Sequence, residues 1–164
     1  MKISIEKLLV NDKIRVDKKI INKYNVDLER RLKKEPIDYI NKKQEFWSLD
    51  FYVDKNTLIP RPETELMVFA VLNSFKNKDI KILDIGTGSG CILLSILTEL
   101  KFSRGIGIDV SKRSIRNAKL NSKKFNLENR SKFIIASIKD FNLGHYDLIV
   151  SNPPYISTNN INKL

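Results

Sequence analysis

Residues 83 to 90 read Leu83-Asp84-Ile85-Gly86-Thr87-Gly88-Ser89-Gly90, a short apolar strand that runs into three glycines at alternate positions and then into the apolar stretch Cys91 to Leu100. Glycine at such positions lets the backbone turn tightly and lets a ligand lie against bare peptide groups at the start of a helix. On its own the loop suits a nucleotide, a dinucleotide or close packing of helix on strand. A phosphate loop of the nucleoside-triphosphatase kind is excluded, because no Gly-Lys-Ser/Thr follows. The dinucleotide fingerprint places glycine or alanine where this chain has Cys91, so it matches poorly.

On both sides of the loop, strand and helix alternate: Ile80 to Ile85, Cys91 to Leu100, Gly105 to Val110, Ser111 to Phe125, Phe133 to Ala136 and Asp147 to Ser151. This alternation predicts an α/β fold with a parallel sheet, its short apolar strands covered on both faces. Ser111 is placed to cap the second helix. Upstream, Ile20, Tyr24, Leu28 and Leu32 recur every fourth position between Asp17 and Lys34, a helical stripe that Pro36 ends. One short helical segment follows. Residues 44 to 60 then shift to alternation, with Trp47, Leu49, Phe51 and Val53 before Asp54-Lys55-Asn56 and Thr57-Leu58-Ile59 after it, which predicts a β-hairpin turning at 54 to 56. Pro60 and Pro62 stop it. Pro62 also suits the first turn of a helix, with Glu63 and Glu65 near its positive end and Leu66, Met67, Ala70 and Val71 as its buried face.

Two further features fall at the carboxyl ends of strands. Asp109 ends the strand after the glycine loop, where a right-handed crossover sets its carboxylate beside that loop, within reach of both hydroxyls of a ribose. The strand Asp147 to Ser151 ends in Asn152-Pro153-Pro154-Tyr155. Each proline disfavours the helical conformation for the residue before it, so Asn152 and Pro153 are held extended on a stiff platform. The Asn152 side-chain oxygen and the Pro153 carbonyl can then accept the two N–H bonds of a planar amino group, with the Tyr155 ring against the flat group that bears it. That geometry suits methylation of an amide or exocyclic amine nitrogen, whose orientation toward an electrophile must be imposed. His145 and Asp140 lie in the loop before that strand and read as solvated residues.

The chain has 164 residues, 30 lysines and arginines against 19 acids, and a net charge of +11. Residues 1 to 80 carry 17 bases and 13 acids, and residues 81 to 164 carry 13 and 6, so no basic tail explains the total. Drift of the whole composition toward Lys, Ile and Asn accounts for it at least as well as a polyanionic partner. The single cysteine, Cys91, excludes an internal disulfide and fits a small buried hydrophobe in a reducing, cytoplasmic setting. No apolar stretch approaches a membrane span, and MKISIEKLLVNDK lacks the apolar core of a secretory signal, so a soluble intracellular protein is expected.

Residues 35 to 68, EPIDYINKKQEFWSLDFYVDKNTLIPRPETELMV, with ILDIGTGSGCI, GIDVS and IVSNPPYIS, closely resemble the release-factor glutamine N5-methyltransferase family, from Arg31 to Ser157. The resemblance implies a Rossmann-like class I methyltransferase sheet, of which the first four strands are present, behind a short helical segment (1–43) and a hairpin linker (44–62), with the methyltransferase domain from 63 to 164. It implies S-adenosylmethionine as donor and the glutamine of the Gly-Gly-Gln motif in class I peptide release factors as acceptor. By the same likeness Gly86, Thr87, Gly88, Ser89 and Gly90 cradle the methionine end of the cofactor, Asp109 holds its ribose and Asn152 adjoins it. Asn152, Pro153, Pro154 and Tyr155 seat the substrate amide, with Asn152, Pro153 and Tyr155 catalytic, while Arg61-Pro62-Glu63-Thr64 lines the site near the donor. No metal is implied.

The chain departs from the family pattern in two places. Ala136-Ser137-Ile138-Lys139-Asp140 follows the third strand where the family commonly has an acidic or amide residue against the adenine, leaving Ser137 as a substitute. The sequence also stops 12 residues after Asn152, short of three further strands, which predicts an uncovered edge strand at 147 to 151 and low stability, self-association or dependence on a partner chain. Two other functions are compatible with the motifs. One is a nucleic-acid amino-methyltransferase acting on adenine N6 or guanine N2, and the other is a noncatalytic truncated remnant.

Overall fold

In the computed structural model, which describes residues 15–142 and 144–153, two helices come first, α1 (Lys18–Leu32) and α2 (Ile37–Asn41). A hairpin of β1 (Gln44–Phe46) and β2 (Leu49–Phe51) follows, and a 3-10 turn at Pro62–Thr64 leads into α3 (Glu65–Phe75). The remaining elements are β3 (Lys81–Ile85), α4 (Cys91–Glu99), β4 (Arg104–Asp109), α5 (Lys112–Lys124), β5 (Ser131–Ile135) and β6 (Leu148–Ser151). Asp17 and Ser111 cap α1 and α5 with side-chain oxygens that accept from Lys19 N and Ser114 N.

The last four strands form one parallel sheet in the order β5-β4-β3-β6. The chain steps from β3 through β4 to β5 and then returns to the far side of β3, so the switch point of the sheet lies between β3 and β6. Ligands of open α/β sheets bind at such a crevice, beyond the carboxyl ends of the strands. Ile85 is level with Ile108 on one side and with Ser151 on the other, so the loops after β3, β4 and β6 leave the sheet together.

Helix α4 anchors the core, with every residue from Cys91 to Leu97 buried. It can approach β4 closely because Gly105 has no side chain, and Gly107 makes similar room for β5 and the loop after β3. A Cβ at Gly105 would lie 2.4 Å from Leu93 Cδ1, and one at Gly107 2.7 Å from the Phe133 ring and from Thr87 Oγ1. The carbonyls at the end of α4 are met by one guanidinium, since Arg130 donates to Leu97 O at 2.7 Å, to Ser103 O at 2.9 Å and to Leu100 O at 3.1 Å. This fills the capping role that glycine often plays.

Three sequence expectations need correction. The hairpin turns at Trp47-Ser48, not at 54 to 56, with φ of +52° and +54° at the two positions. Both are left-handed in a two-residue loop, and neither residue is the asparagine or glycine that signals such a turn. Glu65 compensates by accepting from Trp47 N at 2.8 Å, while Asp54 to Thr57 makes a separate local turn closed by Thr57 N on Asp54 O. Helix α3 buries Val68 and Val71 but exposes Leu66 and Ala70, because its contact with α4 is rotated from the expected face. Strand β6 is the expected uncovered edge, so the two-sided cover read from its apolar sequence fails there: Val150 is buried, whereas Ile149 on the opposite face is 59% exposed among the described residues. The stripe on α1 is helical as expected, yet Ile20, Tyr24, Leu28 and Leu32 all stay exposed there.

The tight approach at Gly105 gives a direct check. Gly105→Ala should cost about 1–3 kcal/mol by overpacking against Leu93, read as a lower urea midpoint with an unchanged m value.

Candidate functional site

The site is built on the loop between β3 and α4. Gly86, Gly88 and Gly90 have φ of +72°, +57° and +81°, values that side-chain-bearing residues rarely adopt. Ile108 O on β4 accepts from both Gly86 N and Thr87 N at 2.9 Å, and Gly90 N closes the turn on Thr87 O at 2.8 Å. The three glycines do different work. Gly90 is a packing residue, with Leu94, Phe133 and Ala118 within 3.3 Å of where a Cβ would sit. Nothing lies within 4 Å of the missing Cβ of Gly86, so this stretch of backbone faces open space.

Beneath the loop lies Asp84, fully buried at the end of β3. Thr87 donates its hydroxyl to Asp84 Oδ2 at 2.6 Å, and Oδ1 has no well-aligned partner. Burial raises the Asp84 carboxyl to about 6; the Thr87 hydroxyl and the Leu93 amide in the first turn of α4 oppose the rise, and the nearby Asp109 charge adds to it. Cys91 is a buried thiol pushed up to about 12, by burial first and by Asp84 second, which makes it an inert packing residue.

Asp109 stands at the end of β4, half-buried beside the loop. Its Oδ2 accepts from Gly88 N at 3.0 Å and its Oδ1 from Ser111 N at 2.8 Å. The carboxylate therefore fixes the loop to the start of α5 and, with about four acceptor positions, keeps capacity for further donors. Across the switch point Ser151 donates to Ile85 O at 3.0 Å, which holds the end of β6 against the end of β3. Asn152 follows, half-buried, and its Nδ2 donates to Thr64 Oγ1 at 3.2 Å. This bond brings the Arg61-Pro62-Glu63-Thr64 segment to the residue after β6. Pro153 is exposed next to it, while Pro154 and Tyr155 lie outside the described residues.

The loop, Asp109 and Asn152 thus share one edge of the sheet. Ser137 is on that edge too, after β5, and its hydroxyl accepts from Lys139 N at 3.2 Å. His145 and Asp140 are exposed, and His145 leads into the opposite, amino end of β6, away from the loop.

Sequence reasoning missed the polar clamp that carries this edge. Asn121 of α5 is fully buried; its Oδ1 accepts from Tyr52 N at 2.7 Å, and its Nδ2 donates to Ser89 O at 2.9 Å and to Tyr52 O at 3.0 Å. One turn earlier Asn117 donates to Asp54 Oδ1 at 2.9 Å, and the Ser114 hydroxyl reaches Asn56 O at 3.3 Å. The available signal was the i, i+3, i+7 spacing of Ser114, Asn117 and Asn121 on one face of a helix whose other face is charged.

A family model described as a methyltransferase domain matches residues 76–162. The chain is 43% identical over 152 residues to the release factor glutamine methyltransferase of Buchnera aphidicola subsp. Baizongia pistaciae, covering 92% of this chain and 54% of that protein. It is 40% identical over 161 residues to the protein of the same name from Clostridium acetobutylicum, covering 96% and 56%. The chain spans about half the length of these curated relatives. Among solved structures, a tRNA uracil methyltransferase of Pyrococcus abyssi in complex with S-adenosyl-L-homocysteine superposes on 68% of this chain and 28% of its own, with a TM-score of 0.55 at 18% identity, which is a likeness of fold. The glycine-loop sheet edge and the matched domain agree: the chain belongs to the methyltransferase domain family.

Proposed function

We propose that the chain carries the transfer site of an enzyme that methylates the side-chain amide nitrogen of a glutamine in a peptide release factor. The observation that carries this reading is the convergence, at one switch point, of a glycine loop with open backbone, a strand-end carboxylate, and an asparagine before a diproline. The relatives named for this reaction extend the same pairing of sequences across nearly the whole chain.

The residues fit S-adenosylmethionine as donor. Gly86 leaves room for close approach, the buried Asp84 lies beneath the loop as a counter-charge for a cation, and Asp109 is placed to accept from ribose hydroxyls. Gly86 to Gly90 and Asp109 would hold the donor, whose sulfonium supplies an electrophilic methyl group. Asn152 Oδ1 and the Pro153 carbonyl would accept the two N–H bonds of the substrate amide and turn its nitrogen toward the donor. The amide nitrogen is a weak nucleophile, so positioning and polarisation supply the acceleration. Thr64 is a positioning residue: it accepts from Asn152 Nδ2 and so orients the acceptor oxygen.

Asn152→Ala should abolish transfer of labelled methyl to purified release factor while donor affinity stays within a few fold; normal turnover in the variant overturns the assignment. Thr64→Val should lower kcat by about 10-fold through lost orientation, with KM for the donor unchanged and activity largely restored by Thr64→Ser.

The Asp84 carboxyl, raised to about 6, is protonated below that pH and ionised above it. Its contribution to stability is full below the usual carboxylate range and lost as pH rises through about 6. Asp84→Asn should therefore stabilise the fold more at pH ~8 than at pH ~4, by up to about 3 kcal/mol in urea unfolding. Donor binding to the parent should strengthen as pH rises through the same range and be flat in the variant.

A further inference from the structure

Helix α5 has seven exposed positions, Lys112, Arg113, Arg116, Lys119, Leu120, Lys123 and Lys124, and all but Leu120 are cationic. At the overall ratio of 30 bases to 19 acids, six charged positions would include about two acids, so compositional drift alone does not account for the row. The contrast with α1 is instructive. There Arg30 pairs with Asp27 and Glu35, whereas among the described residues no ion pair involves any cation of α5. Arg113 is occupied by Asn56 Oδ1, and Lys124 reaches Asp50 O. Lys112, Arg116, Lys119 and Lys123 remain as a line four, three and four residues apart, about 16 Å long at the helical rise. They border a groove of about 570 Å³ whose exposed aliphatic side chains are Leu120 and Ile135 and whose single acid is Glu128.

We infer that this groove is a docking surface for the sugar–phosphate backbone of RNA, separate from the transfer site and formed by Lys112, Arg116, Lys119 and Lys123. A line of same-sign charges without aromatic side chains reads phosphates rather than bases. Three of the four cations are lysines, which protein–protein interfaces tend to exclude, so an acidic protein surface fits less well. The surface begins three residues after Asp109, at the start of α5, and its buried face holds the glycine loop through Asn121. RNA bound there would carry the chain without entering the sheet edge.

The test is fluorescence anisotropy of labelled polyuridylate titrated with the full chain at several KCl concentrations. Neutralising about four phosphates of a single strand gives a log–log salt slope near −3. The quadruple variant K112Q/R116Q/K119Q/K123Q should lose nearly all of that slope, and each pair variant, K112Q/R116Q and K119Q/K123Q, should lose about half. The control K76Q/K78Q/K101Q, which removes one charge more than either pair variant but on the cleft lined by Trp47 and Phe69, should keep it. Far-UV circular dichroism checks the fold, and the pair variants carry the test if the quadruple does not fold. An unchanged slope in the α5 variants, an equal loss in the control, or polyglutamate binding as tightly as polyuridylate overturns the inference.

Discussion

One fully buried carboxamide, that of Asn121, joins three backbone groups from two distant segments, Ser89 O in the glycine loop and both polar groups of Tyr52 beyond the hairpin. A buried amide with unmet partners is costly, and here each bond also satisfies a peptide group that would otherwise be stranded. The consequence is mechanical. The glycine loop and the segment that leads from the hairpin to Pro62 are both fixed to the same helix, so the two walls of the candidate site keep a set separation.

From that clamp the remaining geometry follows in order. The segment after Tyr52 is held by Asn117 and Ser114, turns at Asp54 to Thr57, and delivers Thr64 to Asn152. On the other wall Asp109 ties Gly88 to the start of α5, and Ile108 O gathers the amides of Gly86 and Thr87. Beneath the loop Asp84 is a buried carboxyl that desolvation lifts to about 6. The hairpin is therefore part of the site's support. Glu65 and Trp47 join its turn to α3, and the Phe51 ring packs edge-on against Phe125, 4.9 Å between centroids, at the end of α5.

Much of this was legible in the sequence because local pattern and tertiary role agree there. The alternation from Ile80 onward marks the parallel sheet, the glycine spacing marks the loop, and the positions of Asp109 and Asn152 at the carboxyl ends of β4 and β6 follow from the same pattern. The misses have physical causes. The turn at Trp47-Ser48 uses left-handed residues that carry no turn signal, and it is stabilised by Glu65, a partner 18 residues away. The clamp residues Ser114, Asn117 and Asn121 are polar, and a helix flanked by lysines reads as solvated until the buried partners are seen. The orientation of α3 depends on where α4 meets it, which periodicity does not encode. The closeness of α4 to β4 depends likewise on Gly105, and the room for the Phe133 ring and Thr87 on Gly107; the meaning of both appears only when those side chains stand opposite them.

The proposed function requires that this sheet edge orient a flat amide nitrogen toward a methyl donor seated on the glycine loop. Mass spectrometry of a release factor incubated with the full chain and S-adenosylmethionine tests it most directly. One added methyl group is expected, on the side-chain amide of the glutamine in the Gly-Gly-Gln motif. An unmodified glutamine despite saturating bound donor, or a methyl group found on another residue type, would contradict it.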